Sequence, residues 1–363
     1  MSRLRLFLTT DAVGGVWTYS LDLAAALAAE ADAEVVLAVL GPMPNADQLT
    51  RAAAVPGLRL IETGLPLDWT AEDADQLRAT AAALAELAAK ADAALVQLHA
   101  PSLAVACYRA PVITVVHSCV ATWWAAVKQG PLPHDFTWRT ALTHEGLERS
   151  DLVVAPSRAF AEAVQAGYRL QQPPAVVHNG RTAGQASERD GPCFAFTASR
   201  LWDEGKNLAT FDAAAALSST PFRAAGPLHG PNGATAHLRH AEPLGLLDED
   251  TLAQTFAEQP VFVSAARYEP FGLAVLEAAQ AGCPLVLSSL PTFRELWQDA
   301  AVFADTPEAI AAAVDHFASH PAERSRHGAA ARLRSKRFTT QATARSMLDH
   351  YRALLPAEQR VAA

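Results

Sequence analysis

A chain of 363 residues is long for one core and comfortable for two of ordinary size. Half of it is hydrophobic and 18% is charged, the balance of a globular α/β protein, which excludes a disordered chain. The net charge of −9 argues against a nucleic-acid partner, because an acidic surface repels backbone phosphates.

Met1–Thr10 reads as a strand and not as a signal peptide, since its short apolar run passes directly into Asp11 and a glycine pair. Further strand patterns follow at Glu34–Leu40, Ala94–Leu98, Val112–Val116 and Leu152–Ala155, after a first at Leu4–Leu8. Alanine-rich helical stretches such as Thr18–Ala29 and Glu72–Lys90 lie between them, the alternation of a parallel sheet covered by helices. Gly180, Gly184, Gly191 and Pro192 then break a polar stretch, which places a linker near Asn179–Pro192. A second strand series restarts at Cys193–Ala198, Phe222–Ala225, Val261–Ser264 and Pro284–Ser288. After Thr306 the pattern is helical to Leu355. No apolar run approaches the roughly 20 residues that span a bilayer. Cys107, Cys119, Cys193 and Cys283 form no CxxC pair and read as buried thiols of a reducing compartment, hence a cytoplasmic protein.

Two segments carry chemistry. Arg267-Tyr-Glu-Pro-Phe-Gly-Leu-Ala-Val-Leu-Glu277 joins a strand to the helix Leu273–Ala281. Pro270 and Gly272 shape its turn, so the amides of Phe271, Gly272 and Leu273 can meet an anion at a helix N-terminus. Glu269 and Glu277 stand eight positions apart, suited to hold hydroxyls on either side of a phosphate. Taken alone, the segment is equally a strand–helix junction with one solvated glutamate. In the second segment, Phe196-Thr-Ala-Ser-Arg-Leu-Trp-Asp-Glu-Gly-Lys-Asn207, Arg200 and Lys206 fall in the loop at a strand's carboxyl end, where open α/β sheets bind ligands. The pair suits a diphosphate, or is two solvated charges; Asp203 and Glu204 read as solvent-facing acids.

Together these segments resemble the retaining GT-B glycosyltransferases of the large family-four group. Gly14-Gly15, His117, Val154-Ala-Pro-Ser157 and the tail Tyr351-Arg-Ala-Leu-Leu extend the resemblance over nearly the whole chain. It implies two Rossmann-like domains facing across a cleft: residues 1–180, with the helix 340–363 crossing back, for the acceptor, and 191–339 for the donor. It implies further that Arg200 and Lys206 bind the donor diphosphate, that Glu269 holds a donor-sugar hydroxyl, and that Glu277 holds the ribose. Gly14 and Gly15 would let the first-domain backbone approach the phosphates, and His117 would bond a hydroxyl of the transferring sugar. Asn207 stands where glycine commonly follows the lysine, and His178-Asn-Gly-Arg181 only partly matches the usual asparagine–glycine turn.

The expected reaction moves a sugar from a nucleotide-diphosphate donor to a saccharide or other small hydroxyl acceptor with retention. No acidic metal cluster is evident, so no metal is expected. His117 by itself is equally a buried hydrogen-bonding residue, and His99 ends a strand in the same manner. Trp17, Trp123 and Trp124 are the acceptor candidates, either stacking on a sugar ring or filling core. A net of −6 over residues 1–150 disfavours membrane docking, and the basic run Glu323–Arg337 reads as a solvated helical face. A catalytically silent nucleotide-sugar-binding protein, an epimerase and a phosphorylase are the alternatives. Asp-Ala-Val-Gly-Gly15 is not the GxGxxG of a nicotinamide site.

Overall fold

The computed structural model describes residues 3–128, 130–182, 192–230 and 233–355. Residues 183–191 of the expected linker and 356–363 of the final segment lie outside the described residues. The chain divides into two compact units, one taking Met1–Ala125, Gln129–Gly180 and Thr340–Ala363, the other Ala126–Lys128 and Arg181–Thr339.

The first unit is built on a seven-stranded sheet: β1 (Arg5–Asp11), β2 (Glu34–Leu40), β3 (Leu58–Glu62), β4 (Leu95–Leu98), β5 (Val112–Val115), β6 (Leu152–Ala155) and β7 (Ala175–Val176). All its pairings are parallel, in the order β3-β2-β1-β4-β5-β6-β7. The second unit holds β8 (Ala195–Ala198), β9 (Phe222–Ala225), β10 (Glu242–Gly245), β11 (Val261–Ser264), β12 (Leu285–Leu287) and β13 (Ala301–Phe303). They too pair in parallel, as β10-β9-β8-β11-β12-β13.

Each sheet is covered on both faces, and the period of two along a strand divides its side chains between two cores. On β1, Leu6 and Leu8 join one apolar cluster while Phe7 joins the other. On β11, Phe262 faces one cluster while Val261 and Val263 face its counterpart. β3, β7, β10 and β13 were not expected from the sequence, and each lies at an edge of its sheet. No strand follows Thr306 among the described residues. Among those residues, no helix is long and apolar enough to cross a membrane. The expectation of four buried thiols is corrected: Cys283 is buried, Cys119 and Cys193 are half-buried, and Cys107 is exposed at the end of a helical turn.

The final helix, Thr340–Leu354, belongs to the first unit and packs along the helix Gly15–Ala31. Its Ala344, Met347, Leu348 and Tyr351 recur at helical spacing and are all buried in the core shared with Leu6, Leu8 and Leu27. At the centre of that core the Tyr351 hydroxyl donates to Gln97 Oε1 at 2.5 Å, and both residues are fully buried. Replacing Tyr351 with Phe keeps the volume but strands a buried amide oxygen. We expect Tyr351→Phe to lose about 1–3 kcal/mol, read as a lower urea midpoint at unchanged slope.

Candidate functional site

In the second sheet the chain adds strands outward from β8 in one direction and then from β11 in the other, so β8 and β11 are neighbours with diverging connections. Such a switch point leaves a crevice at the strands' carboxyl ends. The loop after β8 carries Arg200 and Lys206, and the loop after β11 carries Glu269. Main chain ties these loops together: the Arg267 and Tyr268 amides donate to the Gly205 carbonyl at 2.8 and 3.2 Å. Asn207 adds a side-chain tie, its Nδ2 donating to the Ala265 carbonyl at 3.0 Å. It sits in the left-handed region (φ 54°), a conformation asparagine tolerates better than most residues. Asparagine therefore supplies what glycine would there, and a cross-link in addition.

Within this frame Lys206 Nζ meets Glu269 Oε2 at 2.7 Å, with side chains only 16% and 18% exposed. Arg200 is half in solvent at 49% and reaches Asp203 Oδ2 at 3.3 Å. Asp203 corrects the expectation of a solvent-facing acid. It is buried, and its Oδ1 accepts from the Gly205 amide at 2.9 Å, capping the turn that presents Lys206. Glu204 is exposed.

The helix Leu273–Ala281 starts beside Glu269 with no side-chain cap on its N-terminus. Gly272 occupies its N-cap at φ 93°, and an added Cβ would stand 3.4 Å from Glu269 Cγ. Only glycine takes that backbone without strain. Phe271 is buried and turns its ring edge-on to Phe338 with centroids 5.7 Å apart, so it anchors the turn. Leu273 is half-buried at the first helical position. About one turn along, Glu277 Oε1 accepts from Arg181 Nε at 2.8 Å. Arg181 was not picked out as a site residue; the only signal for it was the imperfect asparagine–glycine turn that it ends.

In the first sheet the switch point lies between β1 and β4. Gly14 and Gly15 follow β1, and the helix begins at Gly15 with Gly14 as its uncapped N-cap in extended backbone. Because this helix starts three residues before the expected Thr18, Trp17 opens its buried stripe with Ser20, Leu21, Ala24 and Leu27. Trp17 is 2% exposed in the core, and this corrects its assignment as an acceptor-facing aromatic. Trp123 and Trp124 lie half-buried on the helix Val120–Val127 with centroids 6.3 Å apart. Trp124 also packs on Phe136 at 5.8 Å and donates from Nε1 to the Gly130 carbonyl at 3.3 Å.

His99 and His117 end β4 and β5 and meet edge-on at 5.0 Å, with Tyr19 against His117 at 4.7 Å. Their hydrogen bonds separate their roles. Gln97 uses Oε1 to accept from Tyr351, so its Nε2 donates to His99 Nε2 at 2.8 Å. His99 therefore carries its proton on Nδ1, which faces Ser20 Oγ at 3.2 Å, while that hydroxyl donates to the Val16 carbonyl at 2.7 Å. Both ring nitrogens of His99 are thus committed to the protein. Nε2 of His117 is buried without a hydrogen-bond partner among the described residues. Burial pushes the His117 ring down to about 4, and burial next to His117 lowers His99 well below its ordinary value. Among the described residues, no three histidine, cysteine or carboxylate side chains gather as metal ligands do.

The sequence matches the family description Glycosyltransferase Family 4 over residues 13–182 and Glycosyl transferases group 1 over residues 238–334. The chain belongs to the family-four, group 1 glycosyltransferases. An uncharacterized glycosyltransferase of Methanocaldococcus jannaschii is 36% identical over 80 residues, 21% of this chain and 20% of that relative. The chain thus matches about a fifth of the length of that curated relative. Among solved structures, sucrose-phosphate synthase of Thermosynechococcus elongatus has a TM-score of 0.77 at 18% identity, covering 97% of this chain and 99% of that one. HepE of Anabaena, solved in complex with UDP and glucose, has a TM-score of 0.72 at 17% identity, covering 96% and 99%. A glycosyltransferase from Rickettsia africae has 0.69 at 15%, covering 98% and 99%. These likenesses establish the shared GT-B fold.

The histidine pair makes stability depend on pH. Below about pH 6.5 an unfolded chain protonates His117, whereas the folded ring resists until about 4. Folded stability should therefore fall as pH drops from 6.5 towards 4, and His99 adds in the same direction. Melting temperatures across that window should fall less steeply for His117→Asn than for the parent; parallel curves would remove His117 as a contributor.

Proposed function

We propose that the chain transfers a sugar from a nucleotide-diphosphate sugar to a saccharide or other small hydroxyl acceptor, with retention at the anomeric carbon and without a metal. The observation that carries this reading is the Lys206–Glu269 pair, set at a switch point beside an uncapped helix N-terminus. A diphosphate leaving group develops negative charge as the glycosidic bond breaks. A lysine and helix amides fixed at that position stabilise it, with a mobile arginine beside them.

Lys206 and Glu269 neutralise each other. Donor binding would exchange partners: the diphosphate takes the ammonium of Lys206, helped by Arg200, and a sugar hydroxyl donates to Glu269. The amides of Phe271, Gly272 and Leu273 add to the anion site, and Glu277 accepts from the ribose. His117 would serve a sugar hydroxyl. Held neutral by burial, it sets no positive charge against oxocarbenium character on the sugar. Gly14 and Gly15, at a helix N-terminus, would face donor phosphates with backbone alone.

Retention through a double displacement requires two carboxyls flanking one bond. Here the two acids of the motif would address different parts of the donor, Glu269 the sugar and Glu277 the ribose. That supports attack on the side from which the phosphate departs, with the leaving group assisting. Trp123 and Trp124 remain the aromatic candidates for the acceptor. The free cysteines fit a cytoplasmic enzyme.

Lys206→Ala or Arg200→Ala should stay folded and lose at least tenfold in donor turnover, about 1.4 kcal/mol of transition-state stabilisation. Full activity in either variant would take that residue out of the site, and absence of turnover in the parent with every nucleotide sugar would favour a silent binding protein. Transfer should also survive excess EDTA; abolition by chelator with rescue by Mg²⁺ or Mn²⁺ would overturn metal independence.

A further inference from the structure

We infer that Arg181 is a positioning residue for the nucleotide ribose: it fixes the carboxylate of Glu277 and so sets how strongly the site distinguishes a ribonucleotide from its deoxy form. This rests on the donor-site reading of Glu277 given above.

The helix Leu273–Ala281 grips Arg181 at two points. Glu277 Oε1 accepts from the guanidinium Nε at 2.8 Å, and three residues further along Gln280 Nε2 donates to the Arg181 carbonyl at 2.9 Å. Residues so spaced share one helix face, so a single face holds both the side chain and the backbone of Arg181. From the other direction the Arg181 amide donates to the Phe338 carbonyl at 3.2 Å. The base of the arginine is therefore fixed before its side chain extends, and the guanidinium arrives at Glu277 from a defined direction.

The exposure of the pair makes this consequential. Arg181 is 15% exposed and Glu277 23%, so the carboxylate is largely out of water and its orientation depends on its protein partner. A glutamate side chain otherwise moves through three rotatable bonds, and a carboxylate that wanders makes weaker and less selective bonds to a pair of vicinal hydroxyls. The guanidinium also cancels the negative charge of Glu277 on the helix whose N-terminus is to receive a diphosphate. Lysine would restore the charge but not the planar, directional donor. Charge and geometry are therefore separable by substitution.

The test is calorimetric titration of the purified full chain with uridine, guanosine and adenosine diphosphates, followed by the 2′-deoxy and 3′-deoxy forms of whichever binds tightest. The parent should bind the ribonucleotide at least tenfold more tightly than either deoxy form, and Glu277→Gln should erase most of that ratio. Arg181→Met should weaken the ribonucleotide and collapse the ratio towards one. Arg181→Lys should recover affinity for the diphosphate while the ratio stays collapsed. If Arg181→Met is not folded by circular dichroism, Arg181→Lys alone carries the test through its ratio. A ratio kept by the folded arginine variants while Glu277→Gln loses it would overturn this inference and leave the donor site standing. A ratio absent in the parent, or kept by Glu277→Gln, would remove the ribose role of Glu277 and this inference with it.

Discussion

Where a parallel sheet adds strands first one way and then the other, the loops leaving the two central strands part to opposite faces, and backbone cannot fill the space between them. That constraint organises both units. In the second it falls between β8 and β11, and in the first between β1 and β4. Lys206, Glu269, Gly14 and His99 all stand on loops leaving these central strands, while His117 follows the neighbouring β5. In the second unit the crevice is also held to a fixed width. Two main-chain bonds to the Gly205 carbonyl and the Asn207 side-chain bond to Ala265 join its walls below the charged groups. Lys206 and Glu269 are consequently positioned by strands and main chain, and not by the conformational preferences of two long side chains.

The second unit manages its partly buried charge by local pairing. A carboxylate removed from water without a partner is expensive. Glu269 has Lys206, Glu277 has Arg181, and Asp203 is satisfied by the Gly205 amide and the Arg200 guanidinium. On the proposed reading a diphosphate would replace the carboxylate at Lys206, while a neutral sugar hydroxyl would replace only the hydrogen bond, not the charge, that Glu269 receives from the ammonium. Exposed Arg200 differs: its attraction to Asp203 is largely screened by solvent, so its guanidinium reorients at little cost.

What the sequence revealed and what it concealed follow from burial. The central strands were legible because both faces lie in core, leaving near-continuous apolar runs such as Glu34–Leu40 and Val261–Ser264. The four strands it did not reveal are all edges: β3 carries Arg59 and Glu62, β10 carries Glu242 and Pro243, and β7 and β13 have only two and three residues. An edge needs only one neighbour, and charge or proline on it discourages pairing with other chains. Helix starts were legible only to within a turn, and for Trp17 that margin mattered. Moving the start from Thr18 to Gly15 transferred the indole from a loop facing ligand into the core. The motif residues around Lys206 and Glu269 were legible as types at a spacing. The Arg181–Glu277 pair joins residues 96 apart, and no local pattern announces such a contact.

The two histidines show most clearly what a structure adds. In sequence, His99 and His117 are equivalent, each closing an apolar strand. The hydrogen-bond chain from Tyr351 through Gln97 removes that equivalence, because an amide oxygen already accepting from a phenol obliges the amide nitrogen to donate onward. His99 thereby becomes a fixed neutral spacer whose ring edge supports His117, and the Nε2 of His117 is the buried nitrogen left over. The last link, from Ser20 to the Val16 carbonyl, reaches the first turn of the helix that begins at the glycine pair. The closing helix Thr340–Leu354 thus does more than cover apolar surface. Through one phenol it fixes the proton of His99 and, by way of Ser20, steadies the first turn of the helix Gly15–Ala31.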